Sequence, residues 1–320
     1  MALFEAMEAD PTVLVLGEDV ADREGGGVLG ATKGLSERFG SLRVRSTPIS
    51  EQAIVGAAVG AAIAGMRPIA EIMLMNFITV AMDQLCNHAA KIRYMSGGKT
   101  SVPLTIRTMS GAGGGFGGQH SDMLEAWLAH VPGLKVAVPS NPADQKCLLL
   151  SCIRDDDPCI IIENTLLMGA SGPIPPAGHQ VLLGSANVAR SGTDITIVGY
   201  GRPIPDALAV AEKLSEGGVS VEVIDLRTIV PLDLETVLRS VAKTRRAVIL
   251  HEAVRRFGVG AELASTINEE LFGNLLAPVL RLGAPFTPVP FSSALEKGFL
   301  WSRERIEAAI RKTLDWKAGA

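Results

Sequence analysis

The chain has 320 residues, of which 47% are hydrophobic and 20% are charged. Its formal net charge of −4 provides no strong basic patch for nucleic acid or an anionic membrane, so neither is expected as a partner. No charged-apolar-small leader opens the sequence and no apolar run is long enough to span a bilayer, which favours a cytoplasmic protein. The four cysteines lack CxxC spacing, which predicts buried, reduced thiols.

The length of the chain exceeds the usual size of one hydrophobic core, which favours two domains. Short apolar runs alternate with helical patterns in both halves, as expected of α/β domains with parallel sheets. From 168 to 184 the composition shifts to Gly, Pro, Ala and Ser, which indicates a linker between a domain at 1–184 and a smaller one at 185–320. Strands are predicted at 11–19, around Val44, and at 67–73, 102–108, 134–138, 158–163, 194–199, 219–225, 247–251 and 277–282, and helices at 34–39, 51–64, 78–94, 121–129 and 141–154.

A helix rich in glycine and alanine is predicted to follow Ser50, which is the expected N-cap. Glu51 then lies in the first turn, where the helix dipole favours a negative charge. Gly56 and Gly60 share one helical face, and their cost within a helix predicts that another backbone approaches closely there. The next strand delivers Phe77 to the carboxyl edge of the sheet, where parallel α/β proteins bind ligands.

Two glycine clusters imitate the GxGxxG fingerprint of dinucleotide-binding proteins. The cluster at 113–118 follows a strand, but the next strand does not end in the acid that would bind a ribose hydroxyl. The cluster at 199–201 is followed by Asp225 at a suitable distance, yet Ile204 replaces the third glycine and prolines crowd the turn. An NAD-binding or non-catalytic protein is therefore an alternative, while P-loop, GxSxG and HExxH motifs do not occur.

Long ordered motifs favour another function. The chain resembles the β subunit of the thiamine-diphosphate-dependent first component of 2-oxoacid dehydrogenase complexes, through TPISEQAIVGAAVGAAIAGMRPIAEI, MDQLCNHAAKIRYMSGG, QHSDMLEAWLAHVPGLKVAVPSNPADQKCLLLSCIRDDDP and VIDLRTIVPLD. The resemblance covers nearly the whole chain, and GGVLGATKGL, IRTMSGAG and APFTPVPFS resemble the acetoin type more than the pyruvate type. It implies a parallel-sheet pyrimidine-binding domain followed by a smaller α/β domain of the transketolase C-terminal type.

The resemblance implies functions for residues that are ordinary when taken singly. Glu51 matches the glutamate that hydrogen-bonds N1′ of the cofactor's aminopyrimidine and thereby helps the cofactor to lose its C2 proton. Phe77 matches the aromatic residue that stacks on the pyrimidine ring. His120 matches a histidine at the active-site channel, in reach of substrate or an arriving lipoyl group, and Glu18 matches an acid that lines a polar tunnel between paired sites.

The resemblance also implies partners and metal ions. Family enzymes anchor the diphosphate through Mg²⁺ with a GDG motif, which does not occur in this sequence, so an α subunit is expected to complete an α₂β₂ enzyme. The close-packing face at Gly56 and Gly60 is a natural place for subunits to meet. Family members also bind K⁺, mainly through backbone carbonyls, at positions that match Leu104, Cys152, Ile153, Asp155 and Asp157.

The implied reaction is decarboxylation of a 2-oxoacid such as pyruvate, or cleavage of acetoin, with reductive acylation of a lipoyl group on a partner acyltransferase. A two-component transketolase-like enzyme, which passes a ketol or acyl unit to another acceptor, is the first alternative. A neighbouring reading frame with GDG and a lipoyl-domain protein would favour the dehydrogenase, and GDG without a lipoyl protein would favour the transketolase-like enzyme.

Overall fold

The computed structural model describes residues 1–176 and 178–317, which fold around two β-sheets. The strands are β1 Val13–Glu18, β2 Val44–Thr47, β3 Arg67–Leu74, β4 Thr105–Ser110, β5 Lys135–Ala137, β6 Cys159–Asn164, β7 Asn187–Arg190, β8 Ile195–Gly199, β9 Val221–Asp225, β10 Thr228–Val230, β11 Ala247–Val254 and β12 Leu280–Ala284. The α-helices are α1 Ala2–Ala9, α2 Leu35–Phe39, α3 Glu51–Ile63, α4 Met75–Ile78, α5 Ala90–Met95, α6 Glu125–Ala129, α7 Pro142–Arg154, α8 Pro203–Ser215, α9 Leu234–Thr244, α10 Val259–Leu271, α11 Ser293–Phe299 and α12 Arg303–Leu314.

The larger sheet has seven strands in the order β10-β5-β6-β4-β3-β1-β2, and all its pairs are parallel except β10 with β5. Successive side chains of a strand point to opposite faces, so each strand supplies two hydrophobic cores. Val15 and Ile69 lie in the core that contains α1 and α7, whereas Leu16 and Ala70 lie in the core that contains α3. The sheet is therefore covered by helices on both faces.

The smaller sheet has five strands in the order β12-β11-β8-β9-β7, of which only β7 runs antiparallel to its neighbour. The chain then returns from β9 to the larger sheet, where β10 pairs with β5 and Val138 N donates to Arg227 O at 2.8 Å. The segment 228–230 thus belongs by sequence to the second half of the chain and by hydrogen bonding to the first sheet. Neither β7 nor β10 was predicted, because both are short strands without a long apolar run.

The α/β class and all ten predicted strands are confirmed, with small shifts of their ends. Ser50 is the N-cap residue of α3, as predicted, but its hydroxyl makes no capping hydrogen bond and donates instead to Pro48 O at 3.1 Å. The predicted helix at 78–94 is a continuous helical segment from Met75 to Met95 that contains a π-helical turn. All four cysteines are free, as predicted, and three of them are buried, whereas the prediction that Cys86 is buried is wrong because it is only half-buried. Within the described residues, no helix is both long and apolar enough to cross a membrane.

A buried arginine joins three neighbouring strands of the larger sheet. Arg107 on β4 donates to both carboxylate oxygens of Glu71 on β3, from Nη1 at 2.8 and 2.9 Å, and to Glu163 on β6 from Nε at 2.6 Å and Nη2 at 2.7 Å. Burial opposes the charge of Arg107, but the two carboxylates raise its pKa above the ordinary value. Burial also raises the pKa of Glu71, and the charge of Glu163 adds to that rise.

We expect Arg107→Met to lower the free energy of unfolding by about 3–5 kcal/mol, because it leaves two carboxylates buried without their cation. Urea unfolding of the purified chain measures this change. Arg303→Met is the matched control, since Arg303 pairs with Asp206 but keeps 62% of its side chain exposed, and such pairs contribute less than about 1 kcal/mol. Equal losses in the two variants would contradict the importance of the buried guanidinium.

Candidate functional site

The predicted site residues lie at the carboxyl edge of the larger sheet. The strands β1, β3 and β4 are parallel neighbours, so their carboxyl ends meet at the same edge. Glu18 is the last residue of β1, Phe77 lies in α4 directly after β3, and His120 lies in the loop 111–124 after β4. Glu51 begins α3, which follows β2 on the other side of β1.

The rings of Phe77 and His120 are in contact. Their centroids lie 5.5 Å apart and their planes make an angle of 79°, which is an edge-to-face arrangement. Both side chains are half-buried, so part of each ring is available to another molecule. The two residues are 43 positions apart by their numbers, and the parallel order of β3 and β4 brings them together.

The carboxylates of Glu18 and Glu51 are close enough to affect each other. Partial burial raises the pKa of Glu18, and the negative charges of Asp19 and Glu51 raise it further. Both glutamates are half-buried. Glu18 therefore holds a proton more readily than an ordinary glutamate does, beside a second carboxylate at the start of a helix.

The loop that carries His120 is anchored next to Phe77. Asn76 Nδ2 donates to Gly118 O at 3.2 Å and to Asp122 Oδ2 at 2.9 Å, and Asn76 Oδ1 accepts from Asp122 N at 3.3 Å. Burial raises the pKa of Asp122, although the hydrogen bond from Asn76 opposes that rise. The predicted helix start at Ser121 is wrong, since α6 begins at Glu125 and residues 121–124 belong to the loop.

Reasoning from the sequence missed this anchor. The sequence pattern assigns no function to Asn76 and places Asp122 in a predicted helix. The signal was available in part, because Asn76 is the single polar residue in the apolar run 72–78. Its partner could not be identified without the structure.

The residues predicted to bind K⁺ gather around the end of α7. Arg67 Nη1 donates to the carbonyl oxygens of Ile153 at 3.2 Å and of Asp155 at 3.0 Å, so these two oxygens face one region. Lys135 Nζ lies 2.7 Å from the Asp155 carboxylate and 3.2 Å from that of Asp157. Side-chain cations therefore already neutralise the acids at this turn.

The other three predicted carbonyls also have partners: Asp157 O accepts from Cys159 Sγ at 3.4 Å, and the other two accept from backbone N–H groups. Leu104 O accepts from Cys159 N at 2.8 Å, and Cys152 O accepts from Asp155 N at 3.2 Å. A carbonyl oxygen has two lone pairs, so these bonds leave acceptor capacity for a cation. The described part of the chain contains no group of three or more His, Cys, Asp or Glu side chains that could hold a metal ion.

The small-residue face of α3 is open within this chain. A Cβ atom added to Gly56 would lie 3.6 Å from Gln84 Cγ, which is ordinary contact, and one added to Gly60 would have no neighbour within 4 Å. Ile63 on the same helix is 47% exposed. The close approach predicted from these glycines does not occur among the residues that the structure describes.

The glycine turn at 199–201 does not form a dinucleotide site. The side chain of Asp225 is buried and accepts hydrogen bonds from Ser140 Oγ and, at 3.1 Å, from Arg227 N. Tyr200 is also buried and donates to Glu125 Oε1 at 2.7 Å. The acid and the turn that would bind NAD are therefore both occupied by contacts within the protein.

Comparisons with known proteins agree with this architecture. Two family models match the chain, the transketolase pyrimidine-binding domain over residues 1–169 and the transketolase C-terminal domain over residues 184–306. The β subunit of an acetoin:2,6-dichlorophenolindophenol oxidoreductase from Cupriavidus necator is 45% identical over 98% of this chain and 95% of that protein. The pyruvate dehydrogenase E1 component subunit β of Bacillus subtilis is 41% identical over 98% of this chain and 96% of that protein.

A human mitochondrial protein and a solved structure extend the comparison. The human pyruvate dehydrogenase E1 component subunit β is 42% identical over 97% of this chain and 88% of that protein. A split-gene transketolase, solved as an inactive β4 tetramer, superposes with a TM-score of 0.78 at 23% identity and covers 98% of this chain and 95% of that one. At that identity the solved structure supports the fold alone.

Proposed function

The chain belongs to the family of thiamine-diphosphate-dependent pyruvate and acetoin dehydrogenase β subunits, which function with an α subunit, and from this we propose its site and its reaction. We infer that it decarboxylates a 2-oxoacid such as pyruvate, or cleaves acetoin, and passes the acyl unit to a lipoyl group on a partner acyltransferase. The observation that carries the proposal is the meeting of Phe77 and His120, beside Glu18 and Glu51, at one sheet edge. Two relatives named for acetoin are 45% and 43% identical, and those named for pyruvate reach 44%, so both substrates belong to the proposal.

The side chains that are accessible at this edge of the sheet are suited to bind an aminopyrimidine ring. Bound thiamine diphosphate supplies an acidic C2 position that, once deprotonated, attacks a carbonyl group. Glu51 would hydrogen-bond N1′ of the ring, and Phe77 offers a half-buried aromatic face on which the ring would stack. His120 lies against the edge of Phe77, where it meets the substrate or the lipoyl group. Glu18 ends β1 at the same edge of the sheet, where it would line the polar tunnel between paired sites.

We propose that the α subunit supplies the diphosphate and Mg²⁺ half of the site in an α₂β₂ assembly. The absence of a GDG motif from the sequence supports this division. Another chain could pack against the open face of α3 at Gly60 and the exposed Ile63. This face belongs to the helix that Glu51 begins. Within the chain we propose a domain boundary at 184/185. The strand β10 lies after this boundary but pairs with β5 of the first sheet.

The alternatives have less support. The transketolase-like alternative rests on a structural neighbour at 23% identity, whereas dehydrogenase β subunits reach 45%. The NAD-binding alternative requires Asp225 to face a ribose, but its carboxylate bonds to Ser140 and lies in the interior.

We propose that K⁺ binds the carbonyl oxygens of Leu104, Cys152, Ile153, Asp155 and Asp157. The shared approach of Arg67 to two of these oxygens supports their convergence. A ligand that binds only the folded state at a hundred times its dissociation constant stabilises it by about 2.7 kcal/mol. Melting temperatures in KCl, NaCl and choline chloride at equal ionic strength test the proposal. A rise specific to K⁺ is expected, and identical melting temperatures in the three salts would count against the site.

Glu51→Gln tests the proposed function of Glu51, because it keeps the size of the side chain and removes the carboxylate. We expect deuterium exchange at C2 of thiamine diphosphate in the reconstituted α/β enzyme to slow by about a hundred- to ten-thousandfold, the usual contribution of general acid–base catalysis. The melting temperature should change little, since a charge near a helix start contributes only about 0.3–1 kcal/mol.

The control for this experiment is Glu304→Gln, which removes an exposed carboxylate from the first turn of α12. It should leave C2 exchange at the wild-type rate. Unchanged exchange in Glu51→Gln as well would remove Glu51 from the mechanism and reduce it to a helix-start charge.

A further inference from the structure

The glycine-rich loop that leads to His120 is held by side chains from the second half of the chain. Ala112 N donates to Glu252 Oε1 at 2.7 Å, and Ala112 O accepts from Arg202 Nη1 at 2.7 Å. The guanidinium of Arg202 in turn lies 5.0 Å from the ring centroid of Trp301. Both backbone groups of Ala112 are thus bound by residues that are at least 90 positions away.

A second carboxylate holds the next part of this loop. Glu296 Oε1 accepts from Gly113 N at 2.6 Å, and Glu296 Oε2 accepts from Gly115 N at 3.2 Å. Gly113 and Gly115 have positive φ angles of 110° and 73°, which glycine adopts without strain. These glycines are exposed, yet their amides are bound by a glutamate that is only 3% exposed.

A contact that follows His120 in the sequence also joins this region to the second half of the chain. Glu125 begins α6, and its Oε1 accepts from the hydroxyl of Tyr200 at 2.7 Å. Tyr200 stacks on His251 with ring centroids 6.2 Å apart and planes that differ by 7°. All three side chains are buried, so His120 lies between two points that are fixed on the second half.

The two carboxylates are costly to bury, which argues that their hydrogen bonds to the loop matter. Glu252 is 4% exposed, and burial raises its pKa to about 7 despite the nearby charge of Arg202 and the hydrogen bonds it accepts. The negative charge of Glu125 adds to this rise. A neutral side chain would avoid that cost but would offer weaker acceptors to the loop amides.

We propose that Glu252 and Glu296 are positioning residues, which hold the 111–118 loop so that His120 lies against Phe77. The second domain then sets the geometry of a site whose four proposed residues all lie in the first domain. This inference rests on the proposed function of His120. Neither glutamate is assigned a contact with substrate or cofactor.

The test compares Glu296→Gln with the wild type in the complete α/β enzyme. Glutamine has one acceptor oxygen, and its NH₂ group would face a loop N–H that now donates to a carboxylate. We expect hydrogen exchange of the Gly113 and Gly115 amides to accelerate by about ten- to a hundredfold, as for the loss of one charge-assisted hydrogen bond. We expect kcat to fall about tenfold, which is less than the roughly hundredfold loss that a displacement of about 1 Å can cause, while C2 exchange of the cofactor stays unchanged.

Glu252→Gln gives a second version of the test at Ala112, in case Glu296→Gln fails to assemble. Glu270→Gln, which removes an exposed carboxylate from α10 of the same domain, is the matched control and should change neither readout. A double-mutant cycle then asks whether Glu296 acts through His120. The loss of kcat from Glu296→Gln should disappear in a His120→Ala background.

Loop exchange that is unchanged in both glutamine variants, or kcat losses that are additive with His120→Ala, would overturn the inference. Full activity of His120→Ala would have a different meaning, because it would contradict the proposed function of His120. Faster loop exchange with a non-additive loss of kcat would support both.

Discussion

The arrangement of the site depends on one buried guanidinium between three parallel strands. Arg107 binds Glu71 and Glu163 at the same time, so β3, β4 and β6 share one charged contact inside a hydrophobic sheet. Removing Arg107 would leave two carboxylates buried without their cation, which the interior tolerates poorly. Phe77 follows β3, and the loop that carries His120 follows β4. Alignment of these strands therefore determines whether the two rings can meet.

The second constraint is that this edge is open. Glu51 begins a helix whose outer face, at Gly60, is open, with nothing within 4 Å of an added Cβ atom among the described residues, and the proposed cofactor ligands are half-buried. The chain belongs to a family of β subunits that function with an α subunit, and such a partner could cover this open surface. Loop anchoring by Glu252 and Glu296 is different, since it prepares one side of the site before any partner arrives.

Regular elements were largely predictable because hydrophobic periodicity encodes them locally. Strands such as β1 and β6 are apolar runs, and α3 follows a recognisable start at Ser50, although the hydroxyl of Ser50 does not cap it. The short strands β7 and β10 escaped prediction because pairing with a distant strand defines them. The roles of Glu51, Phe77 and His120 came from family resemblance. Their surroundings came only from the structure, since local sequence does not reveal that Glu296 binds an amide 183 positions away.

The central claim is that this chain carries half of a thiamine diphosphate site. Calorimetric titration of thiamine diphosphate and Mg²⁺ into the purified chain, and then into the chain reconstituted with its α subunit, tests it most directly. We expect tight, magnesium-dependent binding only in the reconstituted enzyme. Tight, magnesium-dependent binding to the isolated chain would contradict the claim.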